Sequence, residues 1–258
     1  MRDDYLWDRS GPADPEVQNR LGEALVRIGA LDAAIESFRA ALAAQPDARK
    51  ASNNLILTLV QAGRGPEAVA RARALAAAAP GDADRHFTLG LALSEQDAEA
   101  SMAAFREALR LQPRHALAEF NLALVLKRTD RMGEAIDRFR RALAIEDRAE
   151  THYQLGVLYW QQGDAGRAVT ELRAAVAGDR GYADAHYTLG AVLADRGDAD
   201  GAERALRAAI ALRPDLAGAH DTLGRVLRQA GREAAAAAAF AEAERLRRRQ
   251  RVEQEARV

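Results

Sequence analysis

The chain repeats itself. Seven segments align end to end: RLGEALVRIG from Arg20, NLILTLVQAG from Asn54, TLGLALSEQ from Thr88, NLALVLKRTD from Asn121, QLGVLYWQQG from Gln154, TLGAVLADRG from Thr188 and TLGRVLRQAG from Thr222. Their leading leucines, Leu21, Leu55, Leu89, Leu122, Leu155, Leu189 and Leu223, are spaced 34, 34, 33, 33, 34 and 34 residues apart. A period in this range means one supersecondary unit used again and again, each unit too small to bury its apolar face alone and each covered by its neighbours. A second half follows every segment, as in AAIESFRAALAAQP and EAIDRFRRALAIED.

Both halves read as helices. In the first, the Leu, the Gly one residue on and the apolar residue four after the Leu (Leu189, Gly190 and Leu193) share one helix face, where the Gly admits close approach of another helix. In the second, Ala34, Phe38 and Ala41, or Ala135, Phe139 and Ala142, make an i, i+4, i+7 stripe, so that small residues face large ones. Gly29, Gly63, Gly163, Gly197 and Gly231 stand between the halves, where a residue without Cβ can end a helix in the left-handed region. Pro46, Pro80, Pro113 and Pro214 close their units, because proline cannot continue a helix. Ala and Leu dominate the apolar set, only 5% of residues are aromatic, and β-branched runs bounded by turn residues are missing, which argues against strands.

This pattern of Leu-Gly, Ala, Phe, Ala and Pro at set offsets resembles the tetratricopeptide repeat, in a bacterial-type array similar to those of O-linked N-acetylglucosamine transferase. The resemblance covers about nine-tenths of the chain. It implies an all-α fold, a right-handed α-solenoid of seven helix-turn-helix hairpins at 15–48, 49–82, 83–115, 116–148, 149–182, 183–216 and 217–248. A lead of residues 1–14 precedes them and a charged helical extension, 249–258, follows. Ile56 and Ala123 depart from the pattern at the Gly position, and Asp147 and Arg180 at the closing Pro. The third and fourth repeats are one residue short. In the third, the loss is expected in the turn around Glu95 to Ala98, with a locally altered superhelix.

Composition narrows the chemistry. With no cysteine, a formal net charge of −1 and no long uncharged apolar window, the 258 residues offer no disulfide, no Cys-metal site and no transmembrane helix. Asp3, Asp4 and Asp8 argue against a secretory signal, so the expected compartment is the cytoplasm. His86, His152, His186 and His220 recur three residues before the repeat Leu, which marks a packing position, and His115, alone before a helix, is expected to be exposed. No HExxH, phosphate-binding Gly-rich loop or nucleophile elbow occurs. The expectation is therefore no enzyme, no catalytic residue, no metal and no cofactor. The run RLRRRQRVEQEARV suggests nucleic acid, but Glu242, Glu244, Glu253 and Glu255 flank it, and a basic helix end with a polar outer face is what a terminal repeat requires.

The resemblance places the first helix of each hairpin on the concave side. Two residues before the repeat Leu stand Phe87, Phe120, Tyr153 and Tyr187; in the next slot stand Asn54, Asn121 and Gln154; two after the Leu come Leu57, Leu91 and Leu124; and Lys127 and Trp160 lie near helix ends. An aromatic and aliphatic floor beside a ladder of amides suits an extended peptide, since amides can bond its backbone at regular spacing. Similar Asn residues in related arrays contact peptide backbone, and an Asn inside a helix has little intrinsic reason to be there. The aromatic slot has an equally ready explanation in packing between hairpins. A carboxylate clamp for chaperone C-termini is excluded, because Phe87 and Leu91 stand where Lys and Asn would be needed. The function read from these residues is a protein-interaction scaffold for an extended partner segment of unknown identity. The alternatives are self-association through solenoid ends and a regulatory or targeting arm of an enzyme complex.

The lead itself, DYLWDRSGPADPEV, holds Tyr5, Leu6 and Trp7. Asp14 is a good N-cap, Pro15 suits the first helical position and Glu16 the positive helix end, so the first helix is expected to start at Pro15. Tyr5, Leu6 and Trp7 are read as a cap on the first hairpin, with occupancy of the chain's own or a neighbour's groove, and plain disorder, as the alternatives.

Overall fold

The computed structural model describes residues 14–255, and among them every regular element is an α-helix. They fall into two compact units that divide between Arg131 and Met132. The first unit contains α1 (Pro15–Arg27), α2 (Leu31–Ala44), α3 (Arg49–Gln61), α4 (Gly65–Ala78), α5 (Ala83–Leu93), α6 (Ala98–Leu111) and α7 (Ala116–Arg128). The second contains α8 (Met132–Ile145), α9 (Ala149–Gln161), α10 (Ala165–Gly178), α11 (Ala183–Asp195), α12 (Ala199–Leu212), α13 (Ala217–Gln229) and α14 (Glu233–Glu255). Within each unit, hairpin helices pack antiparallel and the second helix of one hairpin lies on the first helix of the next: α2 on α3, α4 on α5 and α6 on α7, then α8 on α9, α10 on α11 and α12 on α13. This is the all-α solenoid packing that the repeat implied. No helix among the described residues is long and apolar enough to cross a membrane. Tyr5, Leu6 and Trp7 lie outside the described residues.

Local signals start and stop the helices. Asp14 accepts hydrogen bonds from the backbone N–H groups of Glu16 and Val17 at 2.8 and 3.4 Å, with Pro15 in the first turn. Asp97, Asp164 and Asp198 cap α6, α10 and α12 in the same way at 2.9–3.0 Å. Gly29, Gly63, Gly163, Gly197 and Gly231 all adopt φ between +72° and +79°, the left-handed end that reverses the chain. The fourth turn uses Asp130 instead, at φ 60°, a region that costs any residue with a Cβ. Asp130→Gly is expected to stabilise the protein by about 0.5–1 kcal/mol, read as a higher urea midpoint with an unchanged slope.

The two shortened repeats differ from each other. In the third, the expected loss from the turn is instead taken from helix: α5 stops at Leu93, and Ser94 to Asp97 form a turn without a left-handed residue, in which the Ser94 hydroxyl donates to the Leu91 carbonyl at 2.8 Å. With no glycine available there, the chain leaves the helix early rather than reversing through positive φ. In the fourth, the missing residue comes from the link between α8 and α9, where Asp147 replaces the closing proline.

Packing inside each hairpin is a glycine under a large side chain. A Cβ on Gly22 or Gly90 would sit 2.5 Å from the ring of Phe38 or Phe105, and one on Gly156 or Gly190 would sit 2.6 Å from Leu172 or Leu206. Repeat two reverses the sizes. Ile56 occupies the glycine position and Ala72 the phenylalanine position, and both lie in the core at 0% and 1% exposure. The pair conserves volume, which is why a β-branched residue is tolerated where a glycine otherwise stands.

Candidate functional site

One helix stripe recurs on the first helices of the first unit. Positions i, i+4, i+7 and i+11 read Lys50, Asn54, Leu57 and Gln61 on α3; Asp84, Thr88, Leu91 and Glu95 on α5 and its turn; and Leu117, Asn121, Leu124 and Arg128 on α7. These offsets share one face. Leu57 is 43% exposed and Leu117 39%, while Leu91 and Leu124 are half-buried. Leu57 is exposed and Leu91 and Leu124 are only partly covered, because core residues such as Leu55, Leu59, Leu122 and Leu126 lie on the opposite face.

The amides beside this ladder are held in place. Asn54 donates from its side-chain nitrogen to Asn19 Oδ1 and Glu23 Oε1, both at 3.0 Å, and Asn19 donates to the same Glu23 oxygen at 2.9 Å. Asn121 donates to the Leu117 carbonyl at 2.8 Å. In both, the donor half is engaged and the side-chain oxygen is left for another donor. Below Asn121 and Leu124 lies a depression of about 310 Å³, lined also by Ser94, Glu95 and Arg128. Arg128 spans it, paired with Glu95 at 2.6 Å and donating to the Ser94 carbonyl. The early end of α5 therefore shapes this depression. Lys127 beside it is half-buried, and burial holds its ammonium below the ordinary lysine range.

The aromatic slot lies elsewhere, in the seams between hairpins. The Phe87 ring centroid is 4.8 Å from that of His115 and 5.8 Å from that of Phe105. The Tyr153 ring lies tilted against that of Tyr182, with centroids 5.0 Å apart. His115 and Tyr182 are the residues just before α7 and α11, so the same seam is built twice, by an aromatic of one hairpin against the N-terminal flank of the next. His115 is thus not exposed as its isolation suggested. Its side chain is 11% accessible, its Nδ1 accepts from the Ala118 N–H at 3.2 Å, and its Nε2 is 3.6 Å from Asp84. Phe120 is buried at 8% exposure, and the Tyr187 hydroxyl covers Gly218 so closely that a Cβ there would lie 2.9 Å from it. Tyr182 was missed in the sequence because it lies outside the repeated segments; burial, with Tyr153 and Glu150 adding to it, pushes its hydroxyl pKa up to about 12.

In the second unit, Gln154 and Val157 on α9 continue the stripe positions and are half-buried, and Trp160 donates from its indole nitrogen to Asp195 at 3.2 Å. The structure thus brings Asn54, Leu57, Leu91, Asn121 and Leu124 onto one type of face and puts Phe87, Tyr153 and Tyr187 into seams.

The recurring histidines are structural struts. His86, His186 and His220 donate from Nε2 to the carbonyls of Pro80, Arg180 and Pro214 at 3.0, 3.2 and 3.0 Å, tying each first helix to the loop before it. His152 departs, because its loop is one residue short; its ring nitrogens face Glu171 at 2.6 Å and Asp147 at 2.9 Å. In the basic C-terminal run, Arg245, Arg247, Arg248, Arg249 and Arg251 each lie within 3.5 Å of a carboxylate of Glu242, Asp221, Glu244 or Glu253. A run so neutralised offers phosphate little net field.

The sequence profile of the tetratricopeptide repeat matches residues 7–49, 19–83, 91–150 and 153–217. No curated protein matches the chain. Among solved structures, YrrB, described as a TPR protein with an unusual peptide-binding site, is 21% identical with a TM-score of 0.62 over 72% of this chain and 97% of its own. TTC0263, a thermophilic TPR protein of Thermus thermophilus, is 24% identical with a TM-score of 0.61 over 70% and 99%. PilF of Pseudomonas aeruginosa is 20% identical with a TM-score of 0.69 over 78% and 92%. With the profile matched over most of its length and the same hairpins in its structure, the chain belongs to the tetratricopeptide repeat family.

Proposed function

We propose that the chain is a protein-interaction scaffold that binds an extended segment of a partner protein along the exposed face of α3, α5 and α7. The observation that carries this reading is the ladder of Leu57, Leu91 and Leu124, exposed or only half-buried at one position in three successive repeats and flanked by Asn54 and Asn121. The leucines supply apolar contact and the two amide oxygens accept backbone N–H groups of the segment, with the depression beside Asn121 receiving one of its side chains. A peptide-binding TPR protein among the structural neighbours agrees with the class of ligand. A cysteine-free scaffold of this kind suits a bacterial cytoplasm.

The test is selection of random peptides against the intact chain, followed by affinity measurement on a Leu57→Ser/Leu91→Ser/Leu124→Ser variant. Losses of roughly tenfold or more are expected for the selected peptides, with an unchanged circular dichroism spectrum. Equal affinity in the variant would reject this face.

A further inference from the structure

The shortened third repeat leaves an opening beside the leucine ladder. α5 ends at Leu93, four residues after its repeat leucine, whereas α3 and α7 end at Gln61 and Arg128, six after theirs. Ser94 and Glu95 therefore stand where the other two helices carry a last turn, and they border the depression of about 310 Å³ that lies against α7. Its walls are of two kinds. Phe105, Leu124 and Val125 make an apolar side, while Asn121, Glu95 and Arg128 make a polar rim. Asn121, Leu124 and Arg128 share one face of α7, about 10 Å from first to last.

Arg128 is held by its edge. One terminal nitrogen of the guanidinium pairs with Glu95 at 2.6 Å, and the other donates to the carbonyl of Ser94, just past the end of α5. A planar guanidinium tied at both terminal nitrogens keeps one orientation, and what it has left to offer is its flat face. The chain uses that face elsewhere. The Arg167 guanidinium lies 4.7 Å from the ring centroid of Tyr159, and that of Arg228 lies 5.3 Å from the ring centroid of Phe240. Among the described residues no ring is paired with Arg128 in this way.

This combination selects among side chains. A carboxylate would meet Glu95 and find the edge of Arg128 engaged, and an ammonium would meet Arg128 itself. An aliphatic chain would fill the space without attracting the cation. An aromatic ring suits both walls, its face to the guanidinium and its edge to Leu124. Resting on the reading of α3, α5 and α7 as the binding face, we propose that the depression takes an aromatic side chain of the partner segment, with its ring laid on the guanidinium of Arg128. In a tyrosine the hydroxyl donates to the side-chain oxygen of Asn121, whose amide nitrogen already donates to the Leu117 carbonyl.

The probe is a library of random peptides selected against the full chain. Selected sequences are expected to share an aromatic residue at one fixed position, and its replacement by leucine is expected to weaken binding about fivefold or more. Arg128→Lys keeps the charge but not the plane. It is expected to weaken the aromatic peptide by the same factor and its leucine version hardly at all, so that the two losses are not additive. Selected peptides with no shared aromatic would overturn the proposal, as would equal affinity of the aromatic peptide for wild type and Arg128→Lys. An equal loss for both peptides would also overturn it, since Arg128 would then only brace the turn. Leu57→Ser/Leu91→Ser separates these outcomes from failure of the face. Peptides that weaken on that variant but carry no aromatic keep the face and reject the aromatic subsite. Aromatic peptides that respond to Arg128→Lys but not to the leucine variant keep the subsite and reject the ladder, and peptides that respond to neither reject both.

Discussion

Phe105→Ala is expected to destabilise the first unit by about 3–5 kcal/mol, because a fully buried ring is removed from a site whose opposite wall is backbone at Gly90 and cannot collapse into the void. The reciprocal change is also destabilising. A side chain at residue 90 meets that ring at 2.5 Å, so Gly90→Ile overpacks a rigid core, at a cost of about 1–3 kcal/mol. Together, however, Gly90→Ile and Phe105→Ala recreate the arrangement that repeat two already uses, Ile56 opposite Ala72. A double-mutant cycle followed by urea unfolding is therefore expected to show favourable coupling of about 1 kcal/mol or more. Strict additivity would mean that the size reversal in repeat two depends on other neighbours.

Tyr159→Ala is expected to cost the second unit a similar amount, about 3–5 kcal/mol, as Tyr159 is 2% exposed and among the largest fully buried side chains. Here a second substitution separates the causes. The equivalent residue is Leu59, Leu93 or Leu126 in the first unit and Leu193 or Leu227 in the second, so Tyr159→Leu keeps a side chain that the repeat accommodates, and is expected to cost less than about 1.5 kcal/mol. What it loses is the ring itself, over which the Arg167 guanidinium sits at 4.7 Å and that of Arg140 at 5.8 Å. If Tyr159→Leu is as damaging as Tyr159→Ala, the arginine contacts rather than the buried volume hold this hairpin, and raising the salt concentration then weakens wild type more than either variant.

Much of this molecule can be read from the spacing of a few residue types. Leu21 to Leu223 set the hairpins, Gly90 and Gly190 anticipate the close approach of Phe105 and Leu206, and the glycines from Gly29 to Gly231 mark turns that adopt positive φ. These are local or single-hairpin properties, in which each residue's role follows from neighbours a fixed number of positions away. The leucine ladder is legible for the same reason, since a position on a helix face needs only the helix period.

Contacts between hairpins are a different matter. That Phe87 and Tyr153 turn into seams against His115 and Tyr182, that Asn54 is held by Asn19 and Glu23 of the previous repeat, and that His152 leaves the carbonyl its counterparts use, all depend on how far one hairpin is rotated and shifted on the next. A one-residue deletion can be absorbed in a helix or in a loop, and the third and fourth repeats do one each. The amino-acid sequence by itself determined the unit, its helices and the face each helix shows to solvent, because those rest on periodicity within about 34 residues. Only the tertiary structure decided which polar and aromatic side chains that face retains, because their partners lie across a seam whose geometry no repeat encodes alone.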